Sequence, residues 1–133
     1  MMKTANREML GAFANRRFMF VDIPEFDLKL RCQSLTEREK SNYETAILSK
    51  NGRGITRDRL ADANRRLFAL CVVDDKGERL YQDNEIETIA TLDALIVSRV
   101  ASACEVHVGM KDGDIGELIK NSNQITVDDS NSD

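Results

Sequence analysis

The 133-residue chain has no Trp, one Pro, five Phe and two Tyr. Its core must therefore be built mainly from Leu, Ile, Val, Ala and Met, a composition that favours helices. Hydrophobic residues make up 41% and charged residues 32%, the latter above the usual share of about 25%. We expect one domain, because the length fits a single core, with a heavily charged surface.

Cysteine and histidine are also scarce. Cys32, Cys71 and Cys104 lie far apart and form no CxxC pair for zinc or redox chemistry. His107 is the only histidine, and we interpret it as an ordinary, partly buried side chain. No apolar run approaches the roughly 18 residues of a membrane span, and no apolar leader segment is visible. These absences predict a protein of a reducing cytoplasm with no membrane partner.

Motifs for catalysis are missing as well. The sequence contains no GxxxxGK[ST] or GxGxxG phosphate loop. The acidic residues Asp74, Asp75 and Glu78 do not match a calcium loop, because Lys76 occupies a ligand position and Gly77 comes too early. We interpret this segment as a turn. We therefore expect no enzyme activity, no catalytic residues, no metal site and no cofactor.

The charge is distributed unevenly along the chain. The net charge of −4 and the pI near 5.1 argue against binding of nucleic acid through the overall charge of the protein. Residues 50–66 nevertheless carry a local charge of +4, whereas residues 111–133 carry −4. The basic stretch leaves a small nucleic-acid-binding regulator as an alternative function. Because no aromatic residues are interleaved with its basic residues, a solvated or partner-facing surface is favoured.

The N-terminal third predicts a helix followed by a β-hairpin. The apolar spacing within 4–17 is helical. Residues 18–23 form one predicted strand and residues 26–32, which alternate apolar and charged, form a second. Pro24 and Glu25 connect them, and Thr36 with Glu39 forms a capping box that starts a helix ending near Leu48.

The sequence after Leu48 predicts further helices. Glycines in 51–54 indicate a loop, and the apolar periodicity of 56–71 is the strongest helical pattern in the chain. After the turn at 74–77, a short helix from Asp83 or Asn84 to Ala90 and a final helix from a Thr91 cap to about Val106 are predicted.

The resulting fold class is mainly α (α+β), a several-helix bundle with one N-terminal β-hairpin. Residues 1–110 are predicted to form a single compact domain that includes the N-terminal helix and the hairpin. Residues 111–133 are predicted to be a C-terminal tail, largely disordered beyond about 121.

The first predicted strand is apolar on both faces. Successive side chains of a strand point to opposite sides, so Phe18 and Phe20 share one face and Met19, Val21 and Ile23 the other. Our hypothesis is that the hairpin contributes an oligomer or client contact, with these candidate residues: Phe18, Phe20, Val21, Ile23, Phe26 and Leu28. The alternative is that the N-terminal helix covers the Phe18 and Phe20 face within the same chain.

Several short segments occur in a recognisable order. They are IPE at 23–25, LTERE at 35–39, RLFALCVVDDKGERLY at 66–81, IATL at 89–92 and ELIKN at 117–121. This order resembles the tail assembly chaperones of long-tailed, siphovirus-type bacteriophages, over about residues 18–121. One departure is CEVHVGM at 104–110, which leaves the end of the last helix open.

The resemblance implies a helical homo-oligomer in the host cell cytoplasm that is no enzyme. It implies binding to the tape measure protein, which the chaperone keeps soluble while tail tube protein subunits are recruited, and absence from the mature virion. A longer form of the chain, made by ribosomal frameshifting, would be a further partner. A different phage morphogenesis component, such as a head-to-tail connector, remains an alternative.

Overall fold

The computed structural model describes residues 1–48, 56–110 and 119. Within them lie five α-helices and three strands: α1 (Arg7–Gly11), β1 (Phe18–Ile23), β2 (Leu28–Gln33), α2 (Glu37–Leu48), α3 (Thr56–Cys71), β3 (Val72–Val73), α4 (Ile86–Ile89) and α5 (Ala94–His107). The mainly α, α+β class is confirmed. The predicted loop at 51–54 and, apart from Ile119, the predicted tail lie outside the described residues, so these and the domain division stay predictions.

The predicted hairpin is present, but its turn is longer than expected. β1 and β2 are antiparallel, in a register running from Phe18 opposite Gln33 to Ile23 opposite Leu28. A 3-10 turn occupies Pro24–Phe26, and Asp27 then adopts a left-handed φ of 49°. The prediction that Phe26 lies in the second strand is therefore wrong. The fixed φ of a proline favours a helical turn, which takes Phe26 out of the strand.

A third strand, which the sequence did not predict, completes the sheet. β3 pairs with β2 through Val73 opposite Arg31 and Val72 opposite Cys32. It follows α3 directly and is too short to show a periodicity of its own. The chain then leaves the sheet at Asp74, whose carboxylate accepts the backbone N–H groups of residues 76 and 78 at 2.8 and 3.0 Å. This carboxylate is occupied in shaping a turn, as expected.

The starts of α2 and of α5 show how well caps can be predicted. The Thr36 hydroxyl accepts the Glu39 N–H at 3.2 Å and the Glu39 carboxylate accepts the Thr36 N–H at 2.9 Å, which confirms the capping box. The predicted Thr91 cap is wrong, because the carboxylate of Asp93 accepts the Leu95 N–H instead, at 2.9 Å. Asp caps a helix as well as Thr does, so sequence alone does not separate the two.

The core lies between α3, α5 and the inner face of the hairpin. α3 contributes Ala63, Leu67 and Cys71 to it, as the periodicity predicted. The hydroxyl of Tyr43 on α2 donates to the Ala63 carbonyl at 2.9 Å, which holds α2 against α3. The largest fully buried side chains are, in order of size, Phe68, Ile23, Ile47, Leu67, Ile89, Ile119, Val72 and Val100.

The core position of Leu67 leads to a stability prediction. Leu67 is 0% exposed, whereas Leu95 on α5 is 36% exposed. Leu67→Ala should lower the free energy of unfolding by about 2–5 kcal/mol, since it removes buried methyl groups and leaves a cavity. Leu95→Ala, the same change in another helix, should cost less than about 1 kcal/mol. Urea unfolding followed by circular dichroism measures both, and equal losses would contradict this location of the core.

Candidate functional site

The hairpin exposes one of its two faces. Residues opposite each other in the register share a face, so Phe18 and Phe20 lie on the same side as Lys29 and Arg31. Phe18 is 41% exposed and Phe20 is 55% exposed. About half of each ring on this outer face is therefore open to solvent. The alternative that the N-terminal helix covers the face does not hold in this structure, because no residue of that helix is buried.

The candidate residues of the sequence divide between the two faces and the turn. Val21 and Ile23 lie on the inner face and are buried in the core, so they are not available for contacts while the domain is folded. Phe26 in the turn and Leu28 at the start of β2 are about half exposed. Together with Phe18 and Phe20, they leave four large apolar side chains at the surface of one hairpin.

Cations stack on both exposed rings of the outer face. The Arg31 guanidinium lies 3.9 Å from the ring centroid of Phe18, and the Lys29 ammonium lies 4.4 Å from that of Phe20. Arg31 also donates to the backbone carbonyl of Asp75 at 3.0 Å, so it is held from two sides. The outer face therefore offers apolar and cationic groups side by side.

An ion pair fixes the tip of the hairpin to α5. The Arg99 guanidinium donates to both carboxylate oxygens of Glu25 at 2.8 Å. The pair is solvent-exposed, yet hydrogen bonding to Arg99 and to backbone N–H lowers the pKa of the Glu25 carboxyl to about 2. The bidentate geometry limits rotation of the tip, which holds the adjoining Phe26 and Leu28 in place.

An apolar groove opens beside the hairpin. β3 pairs with β2 only at Arg31 and Cys32, so in the described chain no strand pairs with this edge of β2 over Leu28–Leu30. The space left there is a groove of about 480 Å³. We call it the apolar groove. Its floor and walls include Leu30, Phe68, Tyr81, Leu92 and Ile96, and its rim includes Phe20, Leu28 and Leu80.

Sequence reasoning did not find the apolar groove. Its walls come from β2, α3, the turn after β3 and the start of α5, and these segments meet only in space. Leu80 and Tyr81 follow a turn and show no periodicity. The one signal in the sequence was Leu80, a large apolar residue that follows a turn. In the structure its side chain is half exposed.

The first residues of the chain form a second exposed apolar feature. We call residues 1–14 the N-terminal arm. The Asn6 carboxamide caps α1 by accepting the Met9 N–H at 2.9 Å, and a 3-10 turn follows at Ala12–Ala14. The helix is shorter than the predicted 4–17, and none of its residues is buried. Leu10 is 63% exposed and Phe13 is 78% exposed.

The root of the arm, in contrast, is firmly attached. Arg16 donates to both carboxylate oxygens of Glu39 at 2.7 Å and to the Ser34 carbonyl at 3.0 Å. The Arg17 guanidinium donates to the His107 carbonyl at 2.7 Å, and the Arg17 backbone N–H donates to the Ser34 hydroxyl. The chain is thus fixed to α2, β2 and α5 immediately after the arm.

The three cysteines, far apart in sequence, meet in the core. Each is fully buried and reduced. Hydrogen bonding with Cys104 and burial raise the pKa of the Cys32 thiol. Cys32 lowers the pKa of the Cys104 thiol, but Cys71 and burial outweigh it, and the net shift is upward. Thiols held in this way behave as small apolar groups rather than nucleophiles.

A metal-binding cluster is absent from residues 1–48 and 56–110. No set of three or more His, Cys, Asp and Glu side chains in this part could hold a metal ion. His107 is partly buried, as expected, and its Nδ1 atom has no described hydrogen-bond partner. Burial and the nearby Arg17 lower the pKa of His107, which favours the neutral ring at neutral pH.

Residues 50–55 of the basic stretch 50–66 lie outside what the structure describes. Its side chains are described from Leu60 onward. There Arg66 donates to the Asp62 carboxylate at 2.7 Å, so one of its charges is paired within the same helix. Of the two basic side chains described in this stretch, Arg65 and Arg66, the structure thus pairs Arg66.

None of the described helices is both long and apolar enough to cross a membrane. Comparison of the chain with protein-family models, with curated proteins and with solved structures finds no match.

The Arg16–Glu39 pair predicts an acid-dependent contribution to stability. Hydrogen bonding to Arg16 lowers the pKa of Glu39 from 4.5 to about 2. A carboxyl whose pKa is lower in the folded than in the unfolded state stabilises the fold at pH values above its unfolded pKa. This stabilisation is lost as the pH falls toward 2. Glu39→Gln should therefore be less stable than the wild type at pH 7, by up to about 1 kcal/mol because the pair is one-third exposed. The difference should shrink between pH 4.5 and 2.

Chemical unfolding at several pH values measures this difference. Glu37→Gln, two residues earlier in α2 and exposed, is the matched control and should show little change. A Glu39→Gln deficit that persists undiminished at pH 2 would show that the ion pair is not its source.

The buried thiols predict a clear labelling result. In native buffer at pH 8, a thiol reagent such as DTNB should react with none of the three cysteines, because all three are fully buried and the pKa values of Cys32 and Cys104 are raised. In guanidinium chloride all three should react. Fast reaction of one thiol in the native protein would contradict this core arrangement.

Proposed function

We propose that this chain is a tail assembly chaperone of long-tailed bacteriophages. In this role it acts in the host cell cytoplasm, binds the tape measure protein and keeps it soluble, and helps to recruit tail tube subunits without entering the mature virion. It is no enzyme. The observation that carries the proposal is the hairpin, which holds four large apolar side chains at the surface: Phe18, Phe20, Phe26 and Leu28.

The physical argument concerns what such a surface can bind. A chaperone for a long apolar chain needs apolar area of its own that remains exposed before the client arrives. Here the stacked cations Arg31 and Lys29 keep the exposed rings of Phe18 and Phe20 compatible with water. A client segment with apolar and acidic residues can contact the rings while its carboxylates pair with the cations.

Attachment at both ends makes this surface rigid. Arg16 fixes the chain just before β1 to Glu39, and Glu25 fixes the tip to Arg99. A surface that is already ordered loses less conformational entropy when a partner binds. The hairpin therefore suits the role of a docking platform for another protein chain.

The alternatives have less support. A nucleic-acid-binding regulator would need the basic stretch 50–66 as a free surface, whereas the Arg66 charge is paired with Asp62. A head-to-tail connector would also use apolar contacts, but as a structural component it would remain in purified virions. Analysis of virions for this chain separates that alternative from a chaperone.

Co-expression with the tape measure protein of the same phage genome tests the proposal. The wild-type chain should bring this long client into the soluble fraction, and the two should purify together. Replacing Phe18 and Phe20 with Ser should reduce the soluble client at least tenfold, because the apolar part of the outer face is lost. The variant should keep its fold, since both rings are largely outside the core.

Val106→Ser is a matched control for this experiment. Val106 on α5 is as exposed as Phe20 but is not part of the hairpin, so the control should solubilise the client as the wild type does. An insoluble client in the presence of the wild-type chain would refute the proposed function. Full activity of the Phe18 and Phe20 variant would refute the assignment of the outer face.

A further inference from the structure

The exposed part of the hairpin continues into the apolar groove, because Phe20, Leu28 and Lys29 contribute to both. We propose that the client buries large apolar side chains in this groove, and that Lys29 at the rim selects client segments in which a carboxylate lies beside them. This inference rests on the proposed function and adds specificity to it, since the chain then prefers acidic apolar segments to neutral or basic ones.

The groove can surround a side chain, which the outer face of a two-stranded hairpin cannot. Of its lining residues, Phe68 and Val72 are each 1% exposed, and Leu30, Leu92 and Ile96 are partly buried. Its volume of about 480 Å³ lies within the range of roughly 300–1,000 Å³ that is usual for ligand pockets. Full burial of a Leu or Phe side chain strengthens binding about tenfold to a hundredfold. Most of the affinity for a client segment should therefore come from the groove.

The groove is formed before a client arrives, because a hydrogen bond and ring packing hold its walls. The Arg79 guanidinium donates to the Ala69 carbonyl of α3 at 2.8 Å, which fixes the segment that carries Leu80 and Tyr81. The Tyr81 ring packs on the Phe68 ring with 6.0 Å between the centroids. A pocket that is already ordered loses little conformational entropy when a partner binds.

The rim of the groove carries positive charge that no carboxylate neutralises in the described part of the chain. The Lys29 ammonium stacks on the Phe20 ring at 4.4 Å and forms no ion pair with Asp22, which lies opposite Lys29 in the register of the hairpin. Arg31 donates to backbone carbonyls, including that of Asp75 at 3.0 Å, and these groups carry no net charge. The two cations therefore attract a carboxylate of the client.

A negative charge near one end of the groove sets the orientation of the bound segment. Asp75 is exposed on the turn after β3 and lines the groove, whereas the Asp74 carboxylate is occupied by backbone N–H groups of the turn. Arg31 lies against the Asp75 carbonyl, and Lys29 lies about 7 Å further along β2. A client carboxylate is therefore drawn to the Lys29 end, so the acidic residue should lie on one side of the buried apolar side chain.

Peptide binding with a reversal of charge tests the selection. The probes are fluorescently labelled, overlapping synthetic peptides that cover the tape measure protein of the same phage genome, and fluorescence anisotropy measures their affinity. The tightest-binding peptides should carry large apolar residues beside Asp or Glu. Lys29→Glu should weaken the best of them about tenfold and should strengthen, by a similar factor, binding of its counterpart in which Lys replaces the acidic residues. Lys3→Glu, the same change of charge in the exposed N-terminal arm, is the matched control and should alter neither affinity.

Removal of one rim side chain tests the groove. Leu80 is half exposed and lies outside the hairpin, so Leu80→Ser should keep the fold, which circular dichroism checks. The variant should bind the best peptide about fivefold more weakly, since less apolar surface is covered on binding. Leu28→Ser is a second rim variant in case Leu80→Ser loses its fold. Leu95→Ser on α5, which does not line the groove, should bind as the wild type does.

The outcomes separate this inference from the proposed function. Equal affinities of the wild type and Lys29→Glu for the acidic peptide and its Lys counterpart would overturn the selection by charge. Unchanged binding by the folded rim variant would overturn the groove as the burial site, and so would a wild type that binds no peptide while it solubilises the whole client. These results leave the proposed function unaffected. An insoluble client in the co-expression experiment would refute that function, whatever the peptides show.

Discussion

β1 can bury only one of its two apolar faces, and the surface of the molecule follows from this constraint. Val21 and Ile23 enter the core, which is closed by α3 and α5 on the same side. Phe18 and Phe20 must then face solvent. A cation lies over each ring. Each exposed cation–π pair contributes about 0.5–1 kcal/mol, which offsets part of the free-energy cost of leaving the ring in water. The exposed rings are thus a stable feature of the fold rather than a defect in its packing.

Two bidentate ion pairs hold this hairpin at opposite ends. Arg16 and Glu39 join the start of β1 to α2, and Glu25 and Arg99 join the tip to α5. Exposed pairs of this kind add little to the free energy of unfolding. Their effect is geometric, because they hold the apolar outer face and the root of the N-terminal arm in fixed positions relative to one core. The proposed client contact therefore starts from an ordered framework.

The sequence predicted the features that depend on local patterns. The two-sided strand at 18–23, the Thr36–Glu39 capping box and the periodic helix at 56–71 were all found where expected. The errors concern choices that local pattern leaves open, such as Asp93 rather than Thr91 as a cap. The apolar groove and the meeting of the cysteines could not be predicted, because their members come from different segments of the chain and converge only through packing. The four exposed hairpin residues were identified, but the burial of Val21 and Ile23 required the register of the sheet.

The shortness of β3 explains why the apolar groove opens beside β2. Because the chain turns away at Asp74, the edge of β2 over Leu28–Leu30 is left without a strand of the described chain beside it. An open edge invites pairing with another strand, and a lysine on such an edge opposes it. Lys29 lies at the centre of this short edge, next to the bulky rim residues Phe20 and Leu80. These side chains leave too short an edge for a stable ladder, and the apolar walls of the groove lie behind them.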